Sequence, residues 1–228
     1  MRHLRLKRWM DLVIGTAALV LFSPLLALIA IVIRLDSAGP AFFRQTRIGW
    51  KERPFEMWKF RTMSQDAPAD LHRDLATKLV RGAEPDCGER STPPVYKLAD
   101  DPRITRVGRW LRITSLDELP QLFNVLRGEM SLVGPRPIVT YEYEASESWH
   151  FERFEMPQGM TGLWQVSGRN RLNYRRRCEL DIEYVRRWSL WLDLKILAQT
   201  FRAVVVDREP LGRRRQRLPR RRVELGGT

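Results

Sequence analysis

The sharpest pattern along the chain is an unbroken apolar run from Leu12 to Ile33, LVIGTAALVLFSPLLALIAIVI, 22 residues without a charge. As a straight helix it would extend about 33 Å, enough to cross the hydrocarbon core of a bilayer. Ser23-Pro24 interrupts the run at its centre. A proline there removes a backbone donor and crowds the preceding turn, which predicts a kink. A cleaved signal peptide is disfavoured, because the run exceeds a typical h-region and no small-residue cleavage site precedes the polar sequence. From Pro40 to Met63 aromatic and basic residues alternate, predicting short strands or extended segments at a membrane surface, where Trp and Phe sit with Lys and Arg. Ser64 to Pro94 is polar and rich in charges, and reads as a partly helical excursion. Asp181 to Val206 is helical in pattern, with Leu190, Leu194, Leu197 and Phe201 near helical spacing. Trp188 and Trp191 beside Arg186, Arg187 and Lys195 suit a helix in a membrane interface, and equally one packed on the core. These elements predict an α+β fold in three parts. Residues 1–35 form a membrane-inserted helix broken at Ser23-Pro24, residues 36–207 a cytosolic domain, and residues 208–228 an Arg-rich tail expected to be disordered.

Charge changes the picture of the apolar run. The 228 residues carry a formal net charge of +13, a surplus that favours an anionic partner. Arg2, Arg5, Lys7 and Arg8 precede the run, and Arg34, Arg44, Arg47, Lys51 and Arg53 follow it. The positive-inside rule assigns both flanks to the cytoplasm. A helix that enters the membrane, bends at Ser23-Pro24 and returns satisfies both the charges and the proline; a kinked spanning helix is the alternative. Two cysteines, Cys87 and Cys178, give no disulfide framework. The scattered His3, His72 and His150 give no zinc spacing.

Candidate chemistry concentrates between Asp100 and Pro137. In Ser115-Leu116-Asp117-Glu118-Leu119-Pro120, Pro120 is tolerated only in a helix's first turn, so a helix should begin between Ser115 and Asp117. Leu119, Leu122, Phe123 and Leu126 then form an apolar face, and Gly128 is the expected stop. Two adjacent carboxylates would stand at a helix's positive end, a place that also attracts phosphate. The competing reading is a capping box made by Ser115 and Glu118, which leaves the neighbouring arginines unexplained. Arg136 sits between Pro135 and Pro137, a rigid setting that lowers the entropy lost on fixing a guanidinium against an oxyanion. Further on, Pro157 to Arg169 contains glycines that permit close backbone approach, with Trp164 and Arg169 as candidates to meet a base or a phosphate.

The segments Lys59-Phe60-Arg61-Thr62-Met63, Asp101-Pro102-Arg103-Ile104-Thr105, Ser115 to Gln121, Gly134-Pro135-Arg136-Pro137 and Thr161-Gly162-Leu163-Trp164-Gln165 together resemble the bacterial sugar transferases, the monotopic polyprenyl-phosphate phosphoglycosyl transferases, in their minimal form. The likeness runs from about Lys7 to Thr200, in the family's order, and the Ser-Pro break resembles its re-entrant membrane helix. The Arg-rich tail has no counterpart in that pattern. The resemblance implies that Asp117 attacks the sugar-bearing phosphorus of a UDP-sugar, releases UMP and passes the phosphosugar to polyprenyl phosphate. It implies that Glu118 holds Mg2+. Lys59, Arg61, Arg112 and Arg136, with Arg169, are the candidates for binding phosphates. The expected setting is the cytoplasmic face of the bacterial inner membrane, with anionic lipids as further partners and no nucleic acid. Two rivals make opposite predictions. A membrane-tethered adaptor or nucleic-acid-binding protein gives Asp117 and Glu118 no role, and a Mg2+-dependent phosphohydrolase releases free sugar phosphate.

Overall fold

The computed structural model describes residues 2–64, 80, 103–168 and 172–205. The expected excursion after Ser64, apart from Val80, lies outside these residues, as do Asp101, Pro102, Arg169 and the Arg-rich tail.

The mixed α and β architecture stands. The apolar run belongs to one helix, α1 (Arg2–Asp36), with Pro24 inside it. A helix carrying proline leaves the carbonyl four residues back without its donor, here Val20. The Ser23 hydroxyl supplies one, donating to the Val20 carbonyl at 2.8 Å, so the Ser-Pro pair lets the helix continue through its proline.

Strands β1 (Phe42–Ile48) and β2 (Pro54–Phe60) pair antiparallel, with Phe42 opposite Phe60 and Arg44 opposite Trp58, as the alternating segment predicted. Helix α2 (Arg106–Thr114) is capped by Thr105, whose hydroxyl accepts from the Gly108 amide. Gly108 lies against the backbone of Thr62, where an added Cβ would come within 2.1 Å of the Thr62 carbonyl oxygen. A single 3-10 turn over Leu116–Glu118 and helix α3 (Gln121–Arg127) follow. Next come β3 (Ser131–Val133), α4 (Thr140–Glu144) and a 3-10 stretch over Ser148–Glu155. The described residues finish with β4 (Gly159–Thr161), parallel to β3, then α5 (Leu163–Ser167), α6 (Tyr174–Arg187) and α7 (Leu190–Val205).

Two expectations need correction. The helical pattern from Asp181 to Val206 is two helices. Trp188 is extended (φ −53°, ψ 135°), and Ser189 restarts the helix by accepting the Leu192 amide on its hydroxyl at 3.1 Å. The second concerns Ser115. Helix α2 runs to Thr114, so Ser115 becomes its left-handed C-cap at φ 58°. An N-cap needs extended backbone, and the Ser115 side chain caps nothing, so no capping box forms. The carboxylates therefore occupy a 3-10 turn, and α3 begins only after Pro120. Gly128 closes α3 at φ 83°, as expected.

Helix α1 touches the rest of the protein at both ends. Near its start, Lys7 is 1% exposed and pairs with Asp193 at 2.6 Å while donating to the Val133 carbonyl at 2.8 Å. Arg8 donates to the last carbonyls of α3, Val125 and, at 2.7 Å, Leu126. Asp11 accepts from the Ser131 hydroxyl and the Leu132 amide, both at 3.0 Å. Toward its end, Leu26, Ile29 and Ile33 bury against Ala41, Phe60 and Leu111. Between the two contacts, Val20 to Pro24 are exposed. It is long and apolar enough to cross a membrane. Lys7 and Arg8, counted in the sequence among free basic flank residues, instead fasten α1 to the domain.

The main core lies under β2, α3, β3 and the last two helices, where Met57, Leu122, Val125, Val133, Tyr184 and Ile196 pack together.

Candidate active site

Four elements converge on Glu118. Lys59, near the end of β2, donates from Nζ to Glu118 Oε1 at 3.1 Å. Arg136, in the loop after β3, donates to the same oxygen at 3.2 Å. All three side chains are partly exposed, at 17%, 30% and 23% for Lys59, Arg136 and Glu118. Asp117 acts on both cations as a neighbouring negative charge. Arg47 in β1, which the sequence marked only as a flanking charge, completes the group. It donates to the Pro137 carbonyl at 3.4 Å and to Gln45 Oε1 at 2.7 Å.

The titration behaviour reflects crowded cations. Burial pushes Lys59 below the ordinary lysine range, and Arg136 and Arg47 repel its charge further, against the pull of Glu118 and Asp117. Burial also brings Arg47 down to about 10, with Arg136 adding repulsion. For Arg136 the cost of burial is outweighed by Glu118, which touches it, and its pKa rises. Three cations, Lys59, Arg47 and Arg136, thus gather around Asp117 and Glu118, with Glu142 as a further negative charge acting on Arg47 and Arg136.

The remaining candidates separate. Arg112, in the last turn of α2, is anchored through its Nε, which donates to the Thr62 hydroxyl at 2.9 Å. Arg61 faces the other way. It donates to the carbonyls of Ala38 (2.6 Å) and Ser37 (2.7 Å) and to the Ser37 hydroxyl (2.9 Å), tying down the exit of α1. Both of its terminal nitrogens are engaged at the exit of α1, which fits an anchor better than a phosphate ligand. Arg169 lies outside the described residues.

The Pro-Arg-Pro loop is held from behind. Arg153 and Asp181 form a buried ion pair, and Arg153 also donates to the Arg136 carbonyl at 3.1 Å. Burial pushes the Asp181 carboxyl up to about 6, against the opposing pull of Arg153. The segment Thr161-Gly162-Leu163-Trp164-Gln165 is a second support. The Gly134 amide donates to the Thr161 carbonyl at 2.9 Å. A Cβ added at Gly162 would come within 2.4 Å of the Gly134 oxygen, so this glycine permits backbone against backbone. Trp164 is 7% exposed with Arg177 over its ring at 4.8 Å, which removes it from a base-stacking role. Sequence reasoning missed Arg47, Arg153 and Asp181. Asp181 left one signal, falling between Leu180 and Ile182 on a helix whose Cys178 and Tyr184 are also buried.

Among the described residues, no three His, Cys, Asp or Glu side chains stand together as a ready cation cage. Asp117 and Glu118 nevertheless fit Mg2+, which takes one or two carboxylates and completes its octahedron with water and substrate phosphate oxygens. Adjacent carboxylates and three cations thus stand together in a domain that carries one long apolar helix.

The chain belongs to the bacterial sugar transferase family, whose model matches residues 2–207. It is 47% identical over 201 residues to an uncharacterized sugar transferase of Haemophilus influenzae, covering 88% of this chain but only 41% of that protein. It is 43% identical to the exopolysaccharide production protein ExoY of Rhizobium meliloti, over 89% of this chain and 86% of ExoY. It is 42% identical to the UDP-glucose:undecaprenyl-phosphate glucose-1-phosphate transferase of Caulobacter vibrioides, over 85% of this chain and 67% of that protein.

Proposed function

We propose that this protein is a phosphoglycosyl transferase that moves a sugar-1-phosphate from a UDP-sugar to polyprenyl phosphate, an initiating step of exopolysaccharide or related glycan synthesis. The observation that carries the reading is the pairing of Asp117-Glu118 with Lys59 and Arg136, beside Arg47. In the first half-reaction an Asp117 carboxylate oxygen attacks the sugar-bearing phosphorus. The bond from that phosphorus to the bridging oxygen breaks, and UMP leaves with the electron pair. In the second, a phosphate oxygen of the polyprenyl phosphate attacks the same phosphorus, and the acyl-phosphate bond breaks to restore Asp117. The bond from sugar carbon to oxygen is untouched throughout, so anomeric configuration is retained. Splitting the transfer lets one carboxylate serve both substrates.

A carboxylate approaching a diphosphate meets like charge. Lys59 and Arg136, with Arg47 beside them, offset it and hold the phosphates in place. Glu118 would hold Mg2+, whose contribution when bound is further neutralisation of the phosphate oxygens.

Membrane placement follows from α1. Basic residues on both sides of its apolar run support a re-entrant path, in and out on the cytoplasmic side, over a crossing. The active site then stands near the bilayer surface, where a lipid phosphate need raise only its head group. Cysteines placed at residues 3 and 66 should be labelled by an impermeant thiol reagent only after cells are opened. Labelling of either one in intact spheroplasts means a spanning helix.

The reading is tested by offering UDP-glucose, UDP-galactose and UDP-N-acetyl sugars with polyprenyl phosphate and Mg2+. One of them should yield UMP together with a lipid-linked sugar phosphate. Release of free sugar phosphate in place of the lipid product would make the protein a phosphohydrolase.

A further inference from the structure

Outside the catalytic cluster, the least explained charged feature is a pair of arginines around one tryptophan. Arg44 in β1 stands 4.1 Å from the Trp58 ring centre, and Arg127 at the end of α3 stands 5.3 Å from it. Both arginines are exposed. Neither makes a hydrogen bond or ion pair among the described residues. Each keeps its N–H donors for an oxyanion while its charge rests against a ring.

Their position relative to the apolar helix can be read from two contacts. Helix α1 changes from polar to apolar between Asp11 and Leu12, and back between Ile33 and Arg34. At the first boundary, Arg8 grips the last carbonyls of α3, and a Cβ on Gly15 would touch Val125 and Leu126 at 3.5 Å. Arg127 is the next residue. At the second boundary, Ile33 and Ala41 share a cluster with Phe60, on which Phe42 stacks at 5.3 Å. Trp58 bridges the two, 5.9 Å from Phe42 and 6.1 Å from Phe123 of α3. The arginine-flanked tryptophan therefore lies between the elements that hold the two polar ends of the apolar run of α1. If that helix inserts into a bilayer, two exposed arginines around a tryptophan beside it suit the zone of the lipid phosphates, where Trp and Arg are favoured.

We propose that Arg44 and Arg127, on either side of Trp58, dock the phosphate of an anionic bilayer phospholipid. The inference rests on the membrane reading above. It adds a lipid contact separate from the lipid substrate, which the Glu118 cluster would handle. The docked lipid would hold β1 and the end of α3 against the surface and so fix the height of the site.

The test uses the full chain in flotation with phosphatidylcholine vesicles, with and without phosphatidylglycerol. The wild-type protein should prefer the anionic vesicles. The double variant Arg44→Gln/Arg127→Gln should lose about tenfold of that preference while keeping turnover and the KM for polyprenyl phosphate in detergent. A control, Arg175→Gln/Arg176→Gln, removes the same charge from exposed arginines of α6 and should leave the preference intact. An equal loss in the control would overturn the proposal in favour of bulk charge. A raised KM for polyprenyl phosphate in the Arg44/Arg127 variant would overturn it too, assigning the arginines to the lipid substrate. Unchanged preference in that variant would overturn the docking site alone, whereas wild-type protein floating with neither vesicle would remove the membrane reading beneath it.

Discussion

Two ion-paired regions of this protein use the same chemistry to opposite ends. Lys7 and Asp193 meet at 2.6 Å with 1% and 0% of their side chains exposed. Their remaining capacity is filled: Lys7 donates to the Val133 carbonyl, and Asp193 accepts from the Tyr184 hydroxyl at 2.7 Å and the Trp188 indole at 3.2 Å. At Glu118, one carboxylate oxygen is shared by two cations at 3.1 and 3.2 Å, and solvent reaches all three side chains. The first arrangement is closed and complete, and it fastens α1 to the domain. The second is open to solvent, which leaves its cations accessible to an anionic substrate. What separates a strut from a site here is saturation of hydrogen bonds and access, since residue types are nearly the same in both.

The contrast can be broken most severely at Lys7. Lys7→Met strands Asp193 in the core and should cost about 3–5 kcal/mol of stability, seen as a lowered melting temperature in detergent. Lys7→Met/Asp193→Leu should regain a large part of it, because no buried charge is left unpaired. Arg136→Met should do the reverse, leaving melting nearly unchanged while lowering turnover about 10²–10³-fold, the scale for losing one preorganised donor. A large melting shift with normal turnover would place Arg136 among the struts. Arg153→Met lies between the two, since Arg153 is buried, pairs with Asp181 and meets the site only through the Arg136 carbonyl. It should lower both stability and turnover. Arg153→Lys should restore stability better than turnover, because the shorter lysine keeps the charge beside Asp181 but does not place a donor where the guanidinium nitrogen meets both Asp181 and the Arg136 carbonyl. The smallest expected effect is on pH dependence. Lys59 is pushed below the ordinary lysine range by burial, so it loses its proton, and the site a cation, at lower pH than a free lysine would. Turnover should decline on the alkaline side before the usual lysine pKa, and Lys59→Arg should move that limb upward.

Much of the site was legible in the sequence because it is written in short local motifs. Asp117-Glu118, Arg136 between its prolines and Lys59 near the end of a strand each stood out within a few residues, and the fold brings them together. The long apolar helix was equally plain, since a run of uncharged residues needs no tertiary information. Ser115 was misread because serine caps one helix and ends another with equal ease; the neighbouring helix α2 decided which. Arg47, Arg153, Lys7 and Asp193 were invisible as a group. Their partners lie far away in sequence, 186 residues in the case of Lys7 and Asp193, and pattern within a segment carries no record of such a meeting. Arg61 shows the converse: inside a motif it resembled a phosphate ligand, yet the fold spends it on the carbonyls of Ser37 and Ala38.

The central claim is that Asp117 becomes covalently loaded with the phosphosugar before lipid phosphate takes part. Intact-mass measurement after mixing enzyme, Mg2+ and the accepted UDP-sugar, without polyprenyl phosphate, tests it most directly. About one equivalent of UMP should appear in a burst, with a mass gain of one sugar phosphate mapping to Asp117. Asp117→Asn should abolish both, whereas Glu118→Gln should slow the burst and weaken its Mg2+ dependence. UMP released only once polyprenyl phosphate is present, with no adduct at saturating Mg2+, would mean direct attack by the lipid and would contradict the account.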